Sequence, residues 1–226
     1  MNILAIETTG PVAGAALVCP DRVIAEYNIN NKLTHSQVLM TLIDDMLKTA
    51  NFDKNDIDLI ACSAGPGSFT GLRIGAAAAK GLAFGLNLKI VPVSTLDALA
   101  YNINQSKVLA VPVMDARRNQ VYTALYCCET AKRLTDYLAC DIDFIVEEAG
   151  KTGGRAVFLG DGAELHKDKI AAAGFEIAPL GHVFQRAASV GAAALGLVKT
   201  AVSPPDFAPF YIRAPQAERE AGQNAN

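Results

Sequence analysis

The sequence predicts an α/β fold in which one β-β-β-α-β-α unit is used twice. Two observations carry this. Each half opens with an apolar run that ends in an acid: Ile3-Leu4-Ala5-Ile6 before Glu7, and Val108 to Met114 before Asp115. Each of these runs is followed by two more strand-like runs joined by short turns, and then by alternating helical and strand-like segments.

In the first half, Asn2–Thr9, Val12–Cys19 and Arg22–Ile29 read as an antiparallel meander, with Pro20-Asp21 at one turn. Thr34-His35-Ser36-Gln37 supplies a capping box, with Thr at the cap and Gln three residues later. Val38, Leu39, Leu42, Ile43, Met46 and Leu47 then give the next helix one apolar face. A strand over Ile57–Cys62 leads into the loop Gly65-Pro-Gly-Ser-Phe-Thr-Gly-Leu-Arg-Ile-Gly75, and a helical run of small residues, Ala76–Phe84, leads out. Strand Leu88–Val93 and a short helix capped at Ser94-Thr95-Leu96-Asp97 complete the lobe.

The loop is the most unusual stretch. Gly65 and Gly67 permit backbone angles that residues with a Cβ avoid, Pro66 fixes its own φ, and Ser68 or Thr70 is placed to cap the helix. The N–H groups at a helix start attract anions. Yet the loop is neither a Walker loop, since Leu72 follows Gly71, nor a dinucleotide fingerprint, since Thr70 stands where the third Gly belongs. It is no nucleophile elbow either, because Gly67 directly precedes Ser68. A tight turn and a ligand or partner site are both open readings. Beyond it, Gly71, Gly75, Ala78, Leu82 and Gly85 recur at helical spacing, about 100° per residue. Interior helical glycines each cost roughly 1 kcal/mol against Ala, so a close-packed neighbour is expected, in the same chain or in another.

The polar stretch Asn102–Lys107 marks the expected boundary between a first lobe, 1–102, and a second, 103–226. In the second lobe the expected strands are Val108–Asp115, Val121–Cys128, Lys132–Ala139, Ala156–Leu159 and Phe175–Ala178. The expected helices are Phe144–Ala149, Glu164–Ala172 and a long one over Phe184–Lys199, with a frayed tail from 216 to 226. Two such lobes face each other across a cleft lined by the turns after Glu7 and Asp115. This duplicated arrangement is that of the actin-like, or ASKHA, fold.

Composition narrows the function. The 226 residues are 51% hydrophobic and 19% charged, which is globular, and the net charge of −3 argues against a broad basic face for nucleic acid. The five cysteines form no Cys-x-x-Cys pair and read as reduced thiols of a cytoplasmic protein. Met1-Asn2-Ile3 opens straight into a strand without a signal-peptide pattern, and no uncharged run is long enough to span a membrane.

Several motifs together resemble a known family. The glycine loop is similar to the hallmark of the bacterial tRNA threonylcarbamoyladenosine biosynthesis proteins of the TsaB, or YeaZ, family. Ile3-Leu4-Ala5-Ile6-Glu7-Thr8 resembles its first strand, although Asp is commoner there than Glu. Thr34-His35-Ser36-Gln37, Met114-Asp115-Ala116-Arg117-Arg118-Asn119-Gln120-Val121-Tyr122 and Pro209-Phe210-Tyr211-Ile212-Arg213 resemble its other signatures, in the same order. The resemblance implies a non-catalytic subunit that binds the transferase paralogue TsaD and works with the ATPase TsaE. Threonylcarbamoyl is thereby placed on the adenosine beside the anticodon, and tRNA is met mainly through the complex. It further implies a homodimer when the chain is alone, and no required cofactor.

The residues agree by what they lack. TsaD holds its metal with His-x-x-x-His; here Leu39 stands four residues after His35, and a single imidazole does not hold a catalytic metal. His166 and His182 have no ligand-spaced neighbour, so no metal site is expected. Glu7 and Asp115 either hold a metal–nucleotide or cap turns; the turn reading is preferred, leaving room for weak nucleotide binding at Glu7, Gly65, Gly67, Ser68, Thr70 and Asp115. Arg117 and Arg118 read as a solvated turn or a phosphate contact. The partner interface is expected on Gly71, Gly75, Ala78, Leu82 and Gly85. The competing readings are an actin-like ATPase or small-molecule kinase, and a metallopeptidase-like protein.

Overall fold

A computed structural model describes residues 1–31 and 34–212, so Arg213 and the expected frayed tail lie outside the described residues. The first sheet contains β1 (Ile3–Glu7), β2 (Ala13–Cys19), β3 (Arg22–Ile29), β4 (Leu59–Gly65) and β5 (Lys89–Ser94), in the order β3-β2-β1-β4-β5. The second contains β6 (Val108–Asp115), β7 (Gln120–Thr123), β8 (Tyr126–Cys127), β9 (Lys132–Arg133), β10 (Leu138–Asp141), β11 (Arg155–Leu159) and β12 (Glu176–Ile177). Its main path runs β10-β7-β6-β11-β12. In both sheets the opening strand is central, with an antiparallel neighbour on one side and a parallel one on the other. The fold is actin-like, with the duplication visible in strand order.

The central strands carry apolar runs because both of their faces are covered. On one face of the first sheet Leu4, Ile6, Ala15 and Leu17 pack against α1 (His35–Thr49) and α2 (Phe69–Leu86). Ile3, Ala5, Ala16 and Val18 face the other way. The capping box expected at Thr34 is closed by Gln37, whose Oε1 accepts from the Thr34 N–H at 3.1 Å. Helix α3 (Thr95–Ala100), capped by Ser94, lies between the lobes: Ala98 joins the first lobe's core, while Leu96 and Leu99 join the second's.

The helix after the glycine loop runs from Phe69 and is capped by Ser68, one of the two hydroxyls expected to do so, which accepts from the Gly71 N–H at 3.3 Å. Two expectations change. The second lobe's meander is broken after Thr123; there the Leu125 N–H donates to Thr135 Oγ1 at 3.0 Å instead of to a strand neighbour. The remaining helices of that lobe are α4 (Ile142–Lys151), α5 (Asp161–Leu165) and α6 (Lys167–Ala172).

The long C-terminal helix is instead α7 (Leu180–Val183), an extended stretch, and α8 (Ala187–Leu195). Arg186 pairs with Glu26 of β3, and Glu26 Oε1 accepts from the Ala188 N–H at 2.9 Å, which holds the stretch extended. Helix α8 packs on the first sheet: Ala187, Ala188, Val190, Ala193 and Ala194 meet Ile3, Ala5, Ala16 and Val18. A Cβ on Gly191 would stand 2.6 Å from Val18 Cγ2, which shows how closely helix and sheet approach. The chain therefore returns to the first lobe at Arg186, although a single boundary near residue 102 assigns α8 to the second.

Candidate functional site

The glycine loop is organised around the turn that follows β1. The Ser68 N–H donates to the Thr9 carbonyl at 2.8 Å. A Cβ on Gly67 would lie 2.5 Å from that same oxygen, one on Gly71 2.0 Å from the Thr8 carbonyl oxygen, and one on Gly75 2.3 Å from Thr8 Oγ1. Thr8 Oγ1 in turn donates to the Gly71 carbonyl at 2.8 Å. So Gly71 and Gly75, expected on a partner interface, face inward: they are small because Thr8 lies against the helix, its carbonyl at Gly71 and its hydroxyl at Gly75. Gly65 has φ of 119°, the Gly65–Pro66 bond is cis, and a Cβ on Gly65 would meet the Phe210 carbonyl oxygen at 2.3 Å.

Glu7 ends β1 fully buried and spends its carboxylate inside the lobe. Oε1 accepts from the Thr9 N–H and the Thr9 hydroxyl, both at 2.5 Å, and Oε2 accepts from Ser63 Oγ. Burial raises its pKa, opposed by those donors. Neither Glu7 nor Gly65 lines the cleft.

Gly67, Ser68, Thr70 and Asp115 do line it, together with Thr9, Phe69, Arg117, Tyr122 and Asp161, around a space of about 560 Å³. Asp115 ends β6 as a turn former: Oδ1 accepts from the Arg117 N–H at 2.8 Å, and Oδ2 pairs with Arg117 Nη1 at 3.2 Å. Arg117, Arg118 and Asn119 all have positive φ, between 54° and 66°. Asp161 lies beside Asp115 in the same lobe and accepts from Gln185 Nε2 at 3.1 Å; burial pushes its pKa up, and the charge of Asp115 adds to the rise.

Gly160-Asp161-Gly162 follows β11 and opens α5. It occupies the place in the second lobe that the glycine loop holds in the first, after the strand parallel to the lobe's opening strand. Gly160, at φ 104°, and Gly162 lie against Val113 of β6 as Gly71 lies against Thr8. The glycine spacing was the available signal.

The rest of the small-residue stripe behaves differently. A Cβ on Gly81 or Gly85 would meet nothing within 4 Å. Ala78 and Leu82 are half-buried on the first core. Between α1 and α2 lies an apolar groove of about 260 Å³, lined by Met40, Ile43, Leu47, Leu82, Gly85 and Leu86 among others. Met40 is 48% exposed there.

His35 is engaged by Gly10, its Nε2 lying 2.9 Å from the Gly10 carbonyl, and Leu39 is buried in the core. Among the described residues no three His, Cys, Asp or Glu side chains converge as a metal-binding group, and no helix is long and apolar enough to cross a membrane.

The comparisons with known proteins agree with this architecture. A family model described as TsaD, tRNA N6-adenosine threonylcarbamoyltransferase, matches residues 22–215. The chain is 36% identical over 227 residues to the tRNA threonylcarbamoyladenosine biosynthesis protein TsaB of Bacillus subtilis, with 96% of each chain covered. Against the Escherichia coli protein of the same name it is 38% identical over 130 residues, 56% of this chain and 55% of that one. A crystal structure from Pseudomonas aeruginosa, described as similar to peptidase YEAZ, superposes with a TM-score of 0.79 at 22% identity, covering 94% of this chain and 99% of that one, and so shares the fold. The chain belongs to the TsaB (YeaZ) family of tRNA threonylcarbamoyladenosine biosynthesis proteins.

Proposed function

We propose that this chain is a non-catalytic subunit in tRNA threonylcarbamoyladenosine biosynthesis and that it acts by binding the catalytic paralogue TsaD, with the ATPase TsaE joining the pair. The observation that carries the reading is the groove between α1 and α2. It is largely apolar, it is open, and Gly81 and Gly85 beside Leu82 keep the helix surface low enough for another helix to approach. A TsaD family model matches most of this chain, which supports a partner built on a related lobe. Alone, the chain would pair the same surface with a second copy, and the two associations would compete.

The site chemistry supports a non-catalytic role. The helix position where a second metal-binding histidine would stand is the buried Leu39, and Glu7 is committed to Thr9 and Ser63. A second reading, an actin-like ATPase or kinase, is favoured by the cleft's Ser68, Thr70 and Asp115 and leaves room for weak nucleotide binding.

Two assays on the purified chain separate the readings. It should capture TsaD from the same source when co-expressed, and it should turn over ATP far below an enzyme-like rate of about 1 per second. Turnover at that rate without TsaD would sink the scaffold reading in favour of the enzyme.

A further inference from the structure

The chain passes between the lobes three times: after α3, before α8, and along the segment from Phe207 to Ile212. The first two passages are pinned to each other by Asn102. Its Nδ2 donates to the carbonyls of His182 at 2.8 Å and Phe184 at 2.7 Å, and its Oδ1 accepts from Ser189 Oγ at 2.6 Å. Its own carbonyl lies 2.9 Å from His182 Nδ1.

The third passage attaches elsewhere, and to both lobes. Phe207 is buried in the first lobe's core, and the Phe210 N–H donates to the Ala64 carbonyl at the end of β4, at 2.6 Å. The Tyr211 ring stacks on Phe69, at 5.0 Å between centroids and 22° between planes. On the other side the Phe210 ring lies 5.6 Å from that of Tyr137, over which the Arg133 guanidinium sits at 3.8 Å, and Ile212 packs on the second lobe's core. The glycine at position 65 makes room for this passage, since a Cβ there would strike the Phe210 carbonyl.

We propose that residues Phe207 to Ile212 form a strap that fixes the angle between the lobes and holds the cleft at one aperture. Two passages pinned at one hub still allow the lobes to rotate about it. A third attachment, made through different residues of both lobes, removes that rotation. Phe69 is both the stacking partner of Tyr211 and a wall of the cleft, so the strap is tied directly to the cleft's edge. In two-lobed proteins that close by hinge motion, ligand contacts usually supply the closed state. Here the chain's own C-terminal segment sets it. The inference stands on these contacts and does not depend on the identity of any partner.

The test measures the cleft directly in the full chain. Spin labels attached through a ketone-bearing amino acid at Thr70 and Arg118, on opposite rims, spare the five cysteines. Pulsed dipolar spectroscopy should give one narrow distance for the otherwise unaltered chain. Replacing Phe210→Ala together with Tyr211→Ala should abolish that single peak and add longer distances, while Tyr211→Phe, which keeps a ring on Phe69, should preserve it. Far-UV circular dichroism checks that each variant is folded; if the double variant is not, Tyr211→Ala alone carries the comparison. A broad or double distribution before any strap substitution would overturn the proposal. So would a distribution that stays narrow in a folded variant lacking the rings.

Discussion

The carbonyl oxygen of Thr8 occupies the space that a side chain on Gly71 would need: an added Cβ would stand 2.0 Å from it. One turn further along α2, Gly75 stands in the same relation to the Thr8 hydroxyl, at 2.3 Å. The glycine-rich helix start and the β1–β2 turn are therefore a single packed unit. Gly71→Ala and Gly75→Ala should each lower folding stability by about 1–3 kcal/mol, because the methyl group displaces the Thr8 backbone at Gly71 and, at Gly75, the Thr8 hydroxyl that bonds the Gly71 carbonyl. Gly85→Ala, with nothing within 4 Å, should instead be neutral or stabilise by up to about 1 kcal/mol through helix propensity. Urea denaturation of the three variants checks the contrast; equal effects at all three positions would show that the close approach to Thr8 is unimportant.

Much of this was legible in the chain. The bounds of β3 and β6, the Gln37 half of the capping box and the Ser94 cap follow from local alternation and hydroxyl placement, which act within a few residues. What Gly71 and Gly75 are packed against was not legible. A stripe of small residues records that something comes close, and Thr8 lies 63 residues away from Gly71 in sequence. The docking of α8 on the first sheet was hidden for a related reason: its alanines suit any smooth surface, and only the pairing of Arg186 and Ala188 with Glu26 fixes which one. Glu7 caps the turn after β1, the preferred of its two readings, by accepting from the Thr9 N–H; its other oxygen turns inward to Ser63, a partner 56 residues away that local sequence does not announce.

Glu7 makes stability depend on pH. Its folded pKa lies above the unfolded value, so the folded chain holds the proton more tightly than the unfolded one. The resulting stabilisation is complete below the ordinary glutamate value of 4.5 and is lost as pH rises through the folded value. Asp161 is shifted in the same direction and adds to the decline. Glu7→Gln should flatten the fall in stability that sets in above pH 4.5, with the Ser63 hydroxyl turning to accept from the new amide. Denaturation midpoints collected over a pH series test this, and an unchanged slope in the variant would remove Glu7 from the account.

Asp97 holds two tyrosines of the second lobe from its place on α3. Tyr126 Oη donates to Oδ1 at 2.6 Å and Tyr137 Oη to Oδ2 at 2.8 Å. Burial pushes the Tyr126 phenol far up and the Tyr137 phenol to about 12, with the negative charge of Asp97 adding to both. Asp97→Ala leaves the buried Tyr126 hydroxyl without its acceptor, at a cost of about 1–3 kcal/mol. In a Tyr126→Phe background the same substitution should cost less, because the orphaned hydroxyl is gone. Equal costs in the two backgrounds would show that Asp97 acts through something other than this bond.

The groove between α1 and α2 separates folding from association. Met40 is 48% exposed and Gly85 is open, so Met40→Asp and Gly85→Glu remove little from the core formed by Leu39, Ile43 and Ala83. A carboxylate added to the apolar part of this lining must be desolvated on contact, which weakens association. Both variants should therefore keep their melting temperature and lose capture of TsaD, as well as any self-association seen by size-exclusion chromatography. Gly75→Leu is unsuitable for this purpose, because its effect on Thr8 would lower stability whatever the surface does. Variants that melt normally and still bind TsaD would place the partner on another face of the molecule.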